Sequence, residues 1–238
     1  EGKWDGVITY SEELLVREKE NDIVHFLLSV AYYMKGEYEL QEKQYPWVFK
    51  DEQSMDAVVD WCENLVQRFP QNYYARFVLG SAYPIKDESE KAIENYKKAT
   101  EINPNLADAY VGLGTIYLDD EQVDEAIKYF KKAIEINPSY IAAYLNLGAT
   151  YEYNDQIDEA IASYEKITGI NPRITRAYVS LGDLYLAKGD REKAIKTYEK
   201  VIELNPDGEL GIYAKDAIEK AQAGSDKDTA DTKEQKKP

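Results

Sequence analysis

The stretch ADAYVGLGTIYLDDEQVDEAIKYFKKAIEINP, residues 107–138, decides the fold. It carries two apolar patterns of helical spacing: Tyr110, Leu113 and Tyr117, then Ile127, Phe130, Ala133 and Ile134. The turn-forming run Asp119-Asp120-Glu121-Gln122 separates them. The stretch therefore predicts a helical hairpin. Gly114 on one helix and Ala126 on its partner remove side-chain bulk, so the two helices approach closely while leucines and tyrosines fill the space alongside. Asn137-Pro138 ends the second helix, because proline disfavours helical geometry at the residue before it and pre-sets the next turn.

Working outward, the same unit recurs. Pro70, Pro104, Pro138, Pro172 and Pro206 are each 34 residues apart. Leu79-Gly80, Leu113-Gly114, Leu147-Gly148 and Leu181-Gly182 keep that step, as do Tyr83, Tyr117, Tyr151 and Tyr185. Ala92, Ala126, Ala160 and Ala194 follow, then an aromatic at Tyr96, Phe130, Tyr164 and Tyr198. No single hairpin can bury its apolar face alone, so the units must stack.

These anchors resemble the tetratricopeptide repeat, whose pattern runs aromatic, Leu-Gly, Tyr, then Ala, aromatic and Pro. Tyr110, Tyr144 and Tyr178 stand where Trp is commoner, and Arg76 departs from the pattern. The resemblance covers residues 73–206. It implies an all-α, right-handed superhelical solenoid of antiparallel helix pairs, with the first helix of each pair lining a concave face that receives peptides or partner helices.

On that frame, 73–106, 107–140, 141–174 and 175–207 are full repeats. Upstream, Leu28, Ser29, Tyr32 and Gly36 sit where Leu, Gly, Tyr and the inter-helix Gly belong. Their register is 51 residues from the next, 34 plus 17, so 21–72 reads as a degenerate repeat with a 17-residue insertion. That insertion includes Tyr45-Pro46-Trp47 and an extra helix over 52–69. Residues 1–20 read as the second helix of a truncated repeat. The chain begins with Glu rather than Met, which is expected of a processed or trimmed product. Downstream, Leu210, Ala214, Ala217, Ile218 and Ala221 predict a capping helix over 208–223. The run 224–238 has no Val, Ile, Leu or aromatic residue and predicts a disordered tail.

Composition excludes much chemistry. Forty-five Asp and Glu against twenty-nine Lys and Arg leave a formal charge of −16, which disfavours nucleic acid and anionic lipid as partners. One cysteine, Cys62, cannot form an internal disulfide or a Cys-rich zinc site. The one histidine, His25, occupies a first-anchor position, where packing is expected rather than ligation. A catalytic Cys-His pair could only be Cys62 with His25, and the apolar neighbours of Cys62 argue for core. No nucleotide-binding, calcium-binding or nucleophile-elbow motif is present. The sequence therefore predicts no cofactor, metal or catalytic residue. No run approaches the roughly 18–20 apolar residues of a membrane span. Localisation is cytoplasmic by default, or extracytoplasmic if an N-terminal segment has been removed.

What remains is the face that the resemblance makes concave. Its candidate contacts are Tyr74, Phe77, Val78 and Ser81 in the first full repeat, and Asp108, Val111 and Thr115 in the second. Leu145, Asn146, Ala149, Glu152 and Tyr153 follow in the third, and Arg176, Val179, Ser180 and Asp183 in the fourth. Asn146 and Arg176 match two positions of the clamp by which some tetratricopeptide proteins hold the terminal carboxylate of chaperones. Val111, Thr115 and Ser180 break that clamp, so chaperone C-termini are not the expected ligand. Aromatic residues Tyr74, Phe77 and Tyr153 favour an apolar or mixed peptide. The expectation is a non-catalytic scaffold binding a protein or peptide partner. Self-assembly into a homo-oligomer and service as an accessory domain of a larger enzyme are the alternatives.

Overall fold

The structure, a computed structural model, describes residues 2–35, 37, 40–41, 43–48 and 50–234, without the side chains of Gly2, Lys3, Tyr33, Tyr45 and 224–234. Gly36, expected at an inter-helix turn, lies outside the described residues, as does 235–238 of the expected tail. The described elements are all helical. In chain order they are α1 (Gly2–Leu15), α2 (Asp22–Lys35), α3 (Tyr45–Val48), α4 (Glu52–Arg68) and α5 (Tyr73–Ala82). A 3₁₀ turn at Tyr83–Lys86 precedes α6 (Ser89–Ile102), α7 (Ala107–Asp119), α8 (Val123–Ile136) and α9 (Ile141–Tyr153). Then come α10 (Ile157–Ile170), α11 (Thr175–Ala187), α12 (Arg191–Leu204) and α13 (Glu209–Glu234). The chain forms two compact units, 1–146 and 147–238, divided within α9.

Each full hairpin closes as its glycine demands. A Cβ placed on Gly114 would lie 2.5 Å from the ring of Phe130, which is completely buried. In the second unit a Cβ on Gly182 would meet the Tyr198 ring at the same distance. Any side chain here would force the helices apart, which is why the aromatic on the second helix requires glycine on the first. The turn inside each hairpin places one residue in the left-handed region: Asp87, Glu121, Asp155 and Gly189, again at 34-residue steps.

The Asn-Pro pairs do more than stop a helix. Asn103 Oδ1 accepts from the Asn105 N–H at 3.1 Å, Asn137 from Ser139 at 3.1 Å and Asn171 from Arg173 at 3.0 Å. The asparagine thus folds the chain around the proline with an Asx-type turn, the role for which its short amide suits it.

Contacts between consecutive hairpins also repeat. In the first unit Tyr83 donates to Glu63 at 2.9 Å and Lys86 pairs with Asp56, joining α4 to the 3₁₀ turn that follows α5. In the second, Tyr185 donates to Glu165 at 2.8 Å and Lys188 pairs with Asp158, joining α10 to α11. The same pattern joins α1 to α2: Tyr32 donates to Glu12 at 2.7 Å, and Lys35 pairs with Asp5 at 2.8 Å. This N-terminal pair has its own small core of Ile8, Leu28, Ala31 and Tyr32.

In the second unit, Ala214 and Ala217 of α13 complete a core with Ala194, Tyr198 and Val201 of α12. The sequence reading ends the cap at residue 223 and predicts a disordered tail over 224–238, whereas the α13 backbone continues as helix to Glu234. No proline interrupts the run before Pro238.

Candidate protein-binding site

In the first unit, the face formed by α5 and α7 is covered by the chain itself. Helix α2 crosses it, with Phe26, Val30 and Met34 turned toward Ser81, Tyr96, Gly112 and Thr115. These apolar residues recur at i, i+4 and i+8, one stripe of a helix. Leu28, Ala31 and Tyr32 form a second stripe, which faces α1. The far end of α2 reaches the start of α9: the Tyr140 hydroxyl donates to Asp108 and lies 3.1 Å from the Met34 sulfur. From α1, the Trp4 ring lies 5.9 Å from the Phe77 ring, which in turn lies 5.8 Å from Tyr96.

This placement corrects the sequence reading of several candidate contacts. Phe77 and Val111 are 0% exposed, and Asp108 and Leu145 are buried. They are core positions: the Trp4 ring of α1 packs on Phe77, and Tyr140 holds Asp108. Tyr74 is half-buried with its ring 4.4 Å from that of Tyr73. Ser81 and Thr115 are half-buried and turn their hydroxyls back to the Phe77 and Val111 carbonyls, both at 3.1 Å. Asn146 is half-buried and donates its Nδ2 to the Ala142 carbonyl at 2.8 Å, a bond within the helix. The seat of α2 escaped the sequence reading, yet DIVHFLLSVAYYMK is apolar on more than one face. A helix apolar nearly all round is enclosed rather than lying at a surface.

The second unit leaves its corresponding residues accessible. Tyr153 is 65% exposed, Arg176 is exposed, and Glu152, Val179, Ser180 and Asp183 are half-buried. Two carboxylates organise this face. Asp183 Oδ1 accepts from Tyr198 at 2.5 Å and from Tyr213 at 2.7 Å. The hydrogen bond to Asp183, followed by burial, pushes the Tyr213 hydroxyl up to about 12. Burial raises the Glu152 carboxyl above the ordinary glutamate range; the hydrogen bond from Tyr164 opposes that shift and Asp183 adds to it. Burial and then the bond to Glu152 raise the Tyr164 hydroxyl, against the pull of Ser180 and Arg176. The tyrosines of the second helices thus do two jobs: their rings fill the glycine notches, and their hydroxyls hold carboxylates on the accessible face.

Among the described residues, one histidine and one cysteine are the candidates for ligation or nucleophilic chemistry. Groups of three or more His, Cys, Asp or Glu able to hold an ion are absent there. His25 is buried, stacked on Trp47 at 4.8 Å, with its ring nitrogens against Gln44 at 2.7 Å and the Lys19 carbonyl at 3.1 Å. Cys62 is fully buried in α4, and burial followed by the Glu63 charge pushes its thiol up to about 12. Alkylation of Cys62 by iodoacetamide at neutral pH is therefore expected to be negligible in the folded chain and rapid in denaturant. Mass spectrometry of the two reactions checks this; equal labelling would place the thiol at the surface.

Family models described as tetratricopeptide repeat match residues 107–140, 129–162 and 175–207, and one described as TPR repeat matches 80–120. A solved structure of MamA is 31% identical, with 65% of this chain covering 91% of that one at a TM-score of 0.59. This chain belongs to the tetratricopeptide repeat family. YrrB, described as a TPR protein with an unusual peptide-binding site, shares the fold at 22% identity and a TM-score of 0.55; the match covers 87% of this chain and 97% of that one. A thermophilic TPR protein of Thermus thermophilus, TTC0263, does so at 22% identity and 0.54, over 70% of this chain and 91% of its own. Among curated proteins, none matches the sequence. The tetratricopeptide fold is an all-α solenoid of helix pairs that in general mediates protein–protein interaction. Among the described residues, no helix of this tetratricopeptide protein is long and apolar enough to cross a membrane.

Proposed function

We propose that this tetratricopeptide protein is a non-catalytic scaffold that holds a protein or peptide segment on the accessible face of its second unit. The observation that carries this reading is the accessibility of Tyr153 on α9 and of Arg176, Val179 and Asp183 on α11, an exposed aromatic, an exposed guanidinium, a half-buried valine and an oriented carboxylate. Aromatic and arginine side chains dominate binding energy at protein interfaces. Arg176 offers forked donors to backbone carbonyls or acidic groups, and Tyr153 gives large contact area at low entropy cost. The net charge of −16 argues against nucleic acid as the partner.

The test is affinity capture from the source cell lysate with the wild-type chain and with Tyr153→Ala/Arg176→Ala. Both residues are exposed, so the pair is expected to shift stability by less than about 1 kcal/mol, two changes of up to about 0.5 each. A protein recovered by the wild type and reduced at least about tenfold by the double variant supports the reading. Equal recovery moves the binding surface elsewhere.

A further inference from the structure

A cavity of about 310 Å³ lies inside the first unit, enclosed by α2, α3, α5, α6, α7 and the 3₁₀ turn. Phe26, Met34, Val48, Tyr96 and Ile116 form its apolar wall, and each is at most 4% exposed. The hydroxyls that border it are already engaged. Ser29 donates to the Phe26 carbonyl at 2.7 Å, Thr115 to that of Val111 at 3.1 Å, and Tyr96 to Ser81 at 3.0 Å. A space so lined offers water few hydrogen bonds and suits an apolar body instead. Its walls are tied to the elements behind them. His25 of α2 stacks on Trp47 of α3 at 4.8 Å and meets Gln44 at 2.7 Å. Tyr83 and Lys86, which flank the Pro84-Ile85 edge, bond to Glu63 and Asp56 of α4. A cavity held on several sides persists, because its surroundings cannot relax into it.

One lining residue is charged. Asp119, the last residue of α7, is also the exposed one among the described lining residues, so it marks the mouth. Its carboxylate has no ion-pair partner among the described residues. Asp120 stands beside it, and the carbonyl end of the α7 dipole adds to the negative potential. Loss of solvation and then the Asp120 charge hold the Asp119 carboxyl above the ordinary aspartate range, a shift that a cation at the mouth would reverse.

We propose that this cavity is a binding site for a small arylalkylamine, with the ring among Phe26, Met34 and Tyr96 and the ammonium donating to the Asp119 carboxylate. The cavity has about twice the volume of one that holds a benzene ring, which leaves room for a single ring and a short alkyl chain. Aromatic and thioether side chains favour a ring as the apolar body. The charge-assisted hydrogen bond at the mouth selects the amine. The site draws only on residues of the first unit, so it does not rest on the reading given for the second.

Isothermal titration of the intact chain with phenylbutylamine tests the proposal, with phenylbutanol and phenylbutyrate as neutral and anionic counterparts of the same body. The amine is expected to bind at one site at least about tenfold tighter than the alcohol, with no binding of the anion. A chain of charge −16 attracts cations everywhere, so the decisive variant is Asp119→Asn, which removes one of those charges. Amine binding is expected to fall to the level of the alcohol, and alcohol binding to stay unchanged. Asp119 is exposed, so this variant keeps the fold. Val30→Phe, which fills the cavity from α2, is expected to abolish binding of both amine and alcohol while the helical circular dichroism is retained. Equal affinity for amine and alcohol, an amine affinity untouched by Asp119→Asn, binding that survives in folded Val30→Phe, or no binding of the amine overturns the proposal.

Discussion

Phe77→Ala is expected to lower the unfolding free energy by about 3–5 kcal/mol, the range for truncating a fully enclosed phenylalanine. For a chain of this size that corresponds to a fall in melting temperature on the order of 10 °C. The ring has no exposure and lies between Trp4 and Tyr96, so its removal leaves a cavity walled by two other aromatic side chains that cannot collapse fully. Circular dichroism during thermal unfolding measures the effect directly. The comparison that gives it meaning is Tyr153→Ala, where truncation of an exposed side chain is expected to stay within about 0.5 kcal/mol. An unchanged melting temperature for Phe77→Ala would mean that Trp4 does not cover it and that the residue belongs to an open groove. If the large loss is found, any failure of that variant to bind a partner reports a damaged fold and says nothing about contact.

The second large effect is expected at Gly114. Alanine is the better helix former by about 1 kcal/mol, which by itself would stabilise α7. Against that, the new methyl would sit 2.5 Å from the Phe130 ring, and forcing extra volume into a closed interface costs about 1–3 kcal/mol or more. The steric cost wins at so short an approach, and a net loss of up to about 2 kcal/mol follows. Gly169 in α10 is the control: a methyl added there would have nothing within 4 Å, so Gly169→Ala is expected to gain about 0.5–1 kcal/mol. Opposite signs for the same substitution separate the steric role of Gly114 from helix propensity. The double variant Gly114→Ala/Phe130→Leu is expected to lose less than the sum of its single changes, because the smaller side chain makes room for the methyl. Strict additivity would show that the ring and the glycine do not meet.

The hairpins were legible because their determinants are local. Gly114, Ala126 and Phe130 lie within seventeen residues of one another, and the Asn-Pro turns act over three. The inter-hairpin pairs Tyr83–Glu63 and Tyr185–Glu165 lie outside helical periodicity, although both keep a separation of twenty residues. The candidate contacts of the two units differ in burial. Glu152, Tyr153, Arg176, Val179 and Asp183 remain accessible in the second unit, whereas the equivalent positions at Phe77, Asp108 and Val111 are buried. Register identifies which helix face a residue occupies, and it is silent about what lies on that face.

The amino-acid sequence by itself determined that the chain is all-α and built of helix pairs, because spacing, glycine notches and Asn-Pro turns act between near neighbours in the chain. It also determined that histidine and thiol chemistry rests on one residue of each, which is a matter of supply. Only the tertiary structure decided that α2 lies across α5 and α7 and that Met34 meets Tyr140, more than a hundred residues away. The physical reason is that apolar burial is non-directional. An apolar stripe states that a helix must be covered, and the geometry of the whole unit selects what covers it.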